Sequence, residues 1–244
     1  SRAEASGGAN RRLADRQQAE AERALSDARG RIEVVDPLAV ALPATGLPAS
    51  RRVLELDHVS AGYGGDVPVI RDLSLTITGP ERVALAGPNG SGKSTLLALV
   101  AGTLAPQRGR VRVGVPFALF DQRLSLLDPM LSIADNFARL NRGTTNNQCR
   151  AALARFRFRA DAADRVIGTL SGGQMLRAGL ACTLGAPTPP QLLILDEPTN
   201  HLDLDSLTAV ETGLAAYDGA LLVVSHDRPF LEAIGITRTV TLGE

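Results

Sequence analysis

The sequence predicts an α/β fold built on a parallel sheet, and three observations carry that reading. Short apolar strands alternate with helical stretches from about Arg52 onward, the pattern that successive βα units produce. Gln191–Leu195 is a continuous apolar run, as expected of a strand buried on both faces. A glycine-rich turn from Gly87 to Gly92 sits between a short strand and a helix, the setting in which backbone amides gather around an anion.

Taken in order, the first fifty residues differ from the rest. Arg11–Arg29 is rich in Ala, Arg, Glu and Gln and reads as a solvated helix with Gly30 near its end. Pro37–Ser50 carries Pro43, Gly46 and Pro48, which prevent regular structure. Residues 1–50 are therefore assigned to a linker tail and 51–244 to one compact domain. Val69–Thr78 alternates, with Leu73, Leu75 and Ile77 opposite Asp72, Ser74, Thr76 and Thr78, a half-buried strand of the antiparallel kind. His58 falls in an earlier strand and is read as structural. Arg82–Ala86 is a short strand leading into the glycine turn, and Lys93–Ala101 is a helix stopped by Gly102. Arg110–Val113 and Phe117–Phe120 are short strands. Ser132–Phe158 reads as helical, interrupted at Gly143, Thr144 and Thr145. Gly172–Leu184 is a helix closed by Gly185 and Pro187. After the Gln191–Leu195 strand come a helix over Asp203–Tyr217, a strand over Ala220–Val224 and a final helix–strand pair.

Composition bounds the function classes. The chain has 244 residues, with 44% apolar and 21% charged, near the average for a soluble globular protein. Its 26 basic and 26 acidic residues cancel, without the basic excess of a dedicated nucleic-acid binder. No run of eighteen apolar residues is present, so no membrane insertion is expected, and Ser1–Asn10 lacks the apolar stretch of a secretory leader. Cys149 and Cys182 have no metal-ligand spacing and read as reduced thiols, pointing to a cytoplasmic location. Lys93 is the sole lysine among 26 basic residues, which marks a position where a compact ammonium is needed rather than a planar guanidinium.

Three segments carry chemistry. Gly87-Pro-Asn89-Gly90-Ser-Gly92-Lys93-Ser94-Thr95 matches the P-loop pattern. Its glycines let the backbone fold so that N–H groups converge on phosphate oxygens. Lys93 is placed to reach the β- and γ-phosphates, and the Ser94 hydroxyl to ligate Mg²⁺. Leu192–Leu195 ends in Asp196 and Glu197. A carboxylate at the carboxyl end of a parallel strand lies on the ligand-binding edge of an α/β sheet, where Asp196 can hold Mg²⁺ through water and Glu197 can polarise an attacking water. Finally, Ser171-Gly172-Gly173-Gln174 opens a helix. Ser171 is a natural N-cap, and two glycines expose backbone donors at a positive helix end.

These three motifs, in this order, resemble the ATP-binding-cassette (ABC) domain, over about Val53 to the C-terminus. The resemblance implies a P-loop NTPase with a RecA-like core, an antiparallel β subdomain and a helical subdomain carrying the Ser171–Gln174 signature. It implies Mg-ATP binding and hydrolysis, with Gly87, Asn89, Gly90, Gly92, Lys93, Ser94 and Thr95 on the phosphates. Tyr63 resembles the aromatic that stacks on adenine. Gln122 resembles the glutamine that joins core to helical subdomain and senses Mg²⁺ and the attacking water. Asp203 fits the D-loop aspartate at the dimer contact, and His226 the switch histidine at the γ-phosphate. Glu197, His226 and Gln122 are thus the expected catalytic set, and Ser94, Gln122 and Asp196 the metal set. The family further implies a head-to-tail sandwich in which Ser171, Gly172, Gly173 and Gln174 complete the site of a second cassette.

Asp196-Glu-Pro-Thr-Asn200-His201-Leu-Asp203 and Ser225-His226-Asp227-Arg228-Pro-Phe230-Leu231 resemble the ABC-F branch of soluble twin-cassette proteins. That resemblance implies the ribosome as a partner, in translation or antibiotic resistance. The Arg11–Arg29 helix resembles the end of the linker between two cassettes, which would make this chain a C-terminal half. Its partner cassette would be the missing N-terminal half or a second copy. Met175-Leu176 depart from the charged or small residues common after the signature. The alternatives are the ATPase subunit of a transporter and a non-catalytic module that uses ATP to hold a conformation.

Overall fold

The computed structural model describes residues 41–64, 67–200 and 202–243; the helix expected at 11–29 lies outside them. The elements are β1 (Arg52–Ala61), β2 (Ile70–Thr78), β3 (Arg82–Ala86), α1 (Lys93–Val100), β4 (Arg108–Val113), β5 (Phe117–Phe120), α2 (Ile133–Leu140), α3 (Asn146–Arg155), α4 (Gly172–Leu184), β6 (Leu192–Asp196), α5 (Leu204–Ala216), β7 (Ala220–Val224), α6 (Arg228–Ala233) and β8 (Arg238–Thr241). They form a five-stranded sheet in the order β5-β6-β7-β3-β8 and a three-stranded sheet in the order β2-β1-β4. All four pairings in the first are parallel, and both in the second are antiparallel. This is the predicted α/β class, with the antiparallel β subdomain.

The continuous apolar runs are explained by the two faces of the parallel sheet. Leu193 and Leu195 of β6, with Leu221 and Val223 of β7, pack into one cluster with Phe120, Phe137, Phe156 and the residues of α4. Leu192 and Ile194, with Leu222 and Val224, pack on the opposite face into a cluster with α1 and the antiparallel sheet. Each strand is therefore clamped on both sides. Burial of each such side chain stabilises the fold by roughly 1.5–3 kcal/mol, and a polar substitution in either run would expose a core to an unpartnered dipole.

The antiparallel sheet keeps one face dry. Leu75 and Ile77 are buried while Arg71, Asp72, Ser74 and Thr76 are exposed. Strand β1 does not alternate throughout, because its register shifts between Leu56 and Val59 and again before Ala61. At that irregularity His58 takes a φ of 48°, its N–H donates to Ser74 Oγ at 3.0 Å, and its ring nitrogen lies 2.8 Å from Asp72 Oδ1.

The helical stretch expected over 132–158 is two helices. Gly143 adopts a φ of 85°, and Thr145 then starts α3 with a reciprocal cap in which Thr145 and Gln148 satisfy each other's backbone amides. Two short 3₁₀ turns follow, at Ala160–Asp164 and Ile167–Thr169. Residues 41–50 hold no strand or helix, as expected, yet they are fastened to the domain. The Thr45 amide donates to Asp218 Oδ1 at 3.0 Å and Gln191 Nε2 donates to the Thr45 carbonyl at 3.1 Å. Leu42 and Leu47 each pack against one of the two cores.

One cation ties the start of β3 to two helix ends. The Arg82 guanidinium of β3 donates to the carbonyls of Leu214, Tyr217 and Ile234, which end α5 and α6. It satisfies acceptors that a helix leaves unpaired at its C-terminus and sets a positive charge against two negative dipole ends. Among the described residues, no helix is long and apolar enough to cross a membrane.

Candidate nucleotide site

The P-loop is the turn from β3 into α1. Gly87, Gly90 and Gly92 take φ values of 140°, 82° and 101°, in the left-handed region that L side chains rarely adopt. At Gly92 a Cβ would also stand 2.9 Å from Ile70 Cγ1, so only glycine lets the loop close against the β subdomain. Lys93 is buried at 9% exposure, and its Nζ donates to the carbonyls of Gly87 and Pro88 at 2.7 and 3.0 Å. The ammonium is thus held over the loop by the loop itself. The neighbouring Ser94 is exposed toward the cleft, and Thr95 is buried beneath it.

Asp196 ends β6, and Glu197 turns out of the strand with a φ of 48°. That left-handed turn is unusual for a glutamate. It is held by Glu197 N donating to the Val224 carbonyl at 2.8 Å, from the neighbouring strand β7. The kink re-aims the second carboxylate, so that Glu197 Oε1 lies 3.4 Å from Nε2 of His226. Burial raises the Asp196 pKa first, the adjacent Glu197 and Asp121 raise it further, and Lys93 opposes them. A carboxylate in that setting has an unmet demand for positive charge.

Tyr63, Val69, Asn89, Gly90, Gly92, Lys93, Ser94, Thr95, Gln122, Asp196, Glu197 and Val224 line one cleft of about 360 Å³. Ten of these were expected from the sequence. Val69 and Val224 were not: they lie at a strand start and a strand end without a motif of their own. Tyr63 stands at the cleft with 67% exposure, an open ring face. Gln122 also lines a second cavity of about 310 Å³ that runs on toward Met175, Leu176 and Leu202, between the parallel sheet and α4. Asp121, just before it, was missed as a charge acting on Asp196.

Oxygen donors of three kinds meet in the cleft: the Ser94 hydroxyl, the Gln122 amide and the Asp196 carboxylate. Such a set suits a hard divalent cation such as Mg²⁺, and the raised Asp196 pKa fits a carboxylate that a cation would stabilise. The glycine loop and Lys93 fit the polyphosphate of ATP.

The signature residues do not join this cleft. Ser171 caps α4: its Oγ accepts from Gln174 N at 3.3 Å, and Gln174 Oε1 accepts from Ser171 N at 3.4 Å. Gly173 and Gln174 line neither cavity, and Gly172 lines only the second. Asp203 caps α5, Oδ1 accepting from Ser206 N at 2.7 Å, and the Ser206 contacts hold its carboxyl below the usual range.

The profile of the ABC transporter family matches residues 70–200, from β2 through both carboxylates. The chain belongs to the ABC transporter family. It is an ATPase cassette of that family, and several curated proteins are similar to it. One is the Bacillus subtilis putative ATP-binding protein YdiF, 37% identical over 80% of this chain and 30% of the relative. The energy-dependent translational throttle protein EttA of Mycobacterium tuberculosis is 37% identical over 74% of this chain and 33% of its own length. The probable ATP-binding protein YheS of Escherichia coli is 39% identical over 74% and 28%. The cassette thus spans about a third of these relatives. Among solved structures, a dimeric ATP-binding cassette in a post-hydrolysis state with ADP and phosphate shares the fold. It has a TM-score of 0.66 at 22% identity, covering 78% of this chain and 94% of that one.

Proposed function

We propose that the cassette binds Mg-ATP in the 360 Å³ cleft and hydrolyses it as half of a composite site, within a soluble twin-cassette ABC-F protein that works on the cytoplasmic ribosome. The observation that carries the first part is the convergence of the P-loop, Asp196, Glu197 and Gln122 on one cleft, with the signature held apart from it. Similarity to a translational throttle protein supports the second.

Each residue then has a task. Tyr63 offers its ring to the adenine. The amides of Gly87–Thr95 and the Lys93 ammonium cradle the phosphates, and phosphate oxygens replace the two carbonyls that Lys93 now bonds. Ser94, Asp196 and Gln122 would hold Mg²⁺, which would neutralise charge on the phosphate oxygens. Glu197 orients and deprotonates the attacking water, and His226, beside it, faces the γ-phosphate. Ser171, Gly172, Gly173 and Gln174 present a positive helix end to the nucleotide of the second cassette, with Asp203 at the contact. Residues 1–50 serve as the tail of the connection between the two cassettes.

Glu197→Gln tests this reading. The amide keeps the shape but accepts no proton, so ATP binding should persist while phosphate release slows by ~10²-fold or more. Loss of the charge also lessens repulsion with the γ-phosphate, so ATP should drive lasting association, seen by light scattering. Added back to its companion cassette, the variant should sediment with ribosomes. Undiminished hydrolysis removes Glu197 from the reaction, and no ribosome retention removes the ABC-F role.

A further inference from the structure

We infer that Ser206 is a positioning residue: its side chain packs against Gly173 and locks the signature turn to the segment that leaves β6 through Glu197 and Asp203. This rests on the composite-site reading above and adds a residue to it.

The two helix starts form a corner. A Cβ placed on Gly173 would stand 2.6 Å from both Cβ and Oγ of Ser206, and 3.3 Å from Cδ2 of Leu202. Carbon atoms do not approach that closely, so Gly173 lacks a side chain because Ser206 occupies the space. Gly172 differs: a Cβ there would meet nothing within 4 Å. Of the two signature glycines, one faces open space and the other is closed off from within its own chain.

Ser206 is itself fixed. It is 2% exposed, and its N–H donates to Asp203 Oδ1 at 2.7 Å, so the cap that starts α5 also sets the Ser206 side chain. A separate contact anchors α4. Arg177, one turn along α4 from Gly173, stacks 4.9 Å from the centre of the Phe158 ring. Burial and Arg157 lower its pKa, while Asp203 and Asp205 pull it back up. The steric contact at Gly173–Ser206 therefore holds the corner.

The consequence lies in the connectivity. Glu197 belongs to the cleft of this cassette, and six residues later Asp203 begins the corner that seats Gly173. A shift of the Glu197 turn is passed along the chain to the signature, which serves the other cassette. Ser206 is the side chain that makes that passage rigid.

Three variants of the full 244-residue chain test it. Ser206→Gly removes the packing atoms, and Ser206→Ala keeps Cβ. Thr208→Gly introduces the same backbone freedom at an exposed position of α5 that does not face α4. Hydrogen exchange is read at Gln174 and Met175, whose amides bond to Ser171, and ATP affinity by fluorescent-nucleotide titration. Ser206→Gly should speed exchange at these two amides at least tenfold and leave ATP affinity within twofold. Placed on Glu197→Gln, it should also weaken ATP-driven association at least fivefold. Ser206→Ala and Thr208→Gly should match the parent within twofold in each assay. Unchanged exchange in Ser206→Gly, or an equal rise in Thr208→Gly, overturns the inference. Faster exchange with undiminished association overturns instead the assignment of the signature to the second cassette.

Discussion

Arg82 offers the sharpest test of how the start of β3 is held against the helices. Arg82→Met keeps most of the aliphatic stem and deletes the guanidinium, leaving the carbonyls of Tyr217 and Ile234 without that donor and Leu214 with only its bond from the Tyr217 amide. Hydrogen bonds to a charged group contribute about 1.5–3 kcal/mol each. The guanidinium is only half-buried and its desolvation offsets part of that, as the lowering of its pKa by burial indicates. Water can also reach some of the freed carbonyls. The net loss should therefore be about 3 kcal/mol, at the lower end of what breaking a buried charged network costs. At ~2–4 °C per kcal/mol for a domain of this size, Tm should fall by roughly 6–12 °C. Arg82→Lys should recover less than half, because one ammonium cannot bond three carbonyls in the spread of a planar fork. Urea denaturation with an unchanged slope measures the difference. A loss below ~1 kcal/mol for the Met variant, or full recovery by Lys, would refute the reasoning.

Two further outcomes are expected. Lys93→Ala should weaken ATP binding by tenfold or more in fluorescent-nucleotide titration, since a charge-assisted phosphate contact contributes roughly 1.5–3 kcal/mol; the fold should persist, because the lysine bonds only loop carbonyls. The His58 pKa is raised above 6.5, first by its hydrogen bond to Asp72 and then by that carboxylate's charge. The stability it adds is fully present below pH 6.5 and fades as pH rises through the raised folded value, and the exposed setting keeps it small. An NMR titration should place His58 above 6.5 in the parent and closer to 6.5 in Asp72→Asn.

What the sequence made legible is what local spacing encodes. The P-loop requires particular residue types at consecutive positions, and the Leu192–Leu195 run announces a strand covered on both faces before its neighbours are known. Gln122, Tyr63 and His226 came only with the family resemblance, since a lone glutamine, tyrosine or histidine has no periodicity to betray it. The irregularity at His58 was invisible because a bulge resets the parity of a strand, and period two is the signal by which strands are read. The fastening of Thr45 to Asp218 and the packing of Ser206 on Gly173 join residues far apart in the chain. Nothing in either segment alone records such a contact.

The order of the parallel sheet also constrains how the molecule can be made. Strand β3, which delivers the P-loop, pairs with β7 and β8, both emerging from synthesis well over a hundred residues later. Until they arrive, β3 has two bare edges, and Arg82 has none of the carbonyls it will bond. At ~5–20 residues per second, the nascent phosphate loop waits on the order of ten seconds without the framework that shapes it. A partly synthesised chain therefore has no nucleotide cleft to fill, and ATP can favour only the finished one. The same wait leaves Val83, Ala84 and Leu85 as an unpaired apolar strand, in need of protection during its birth.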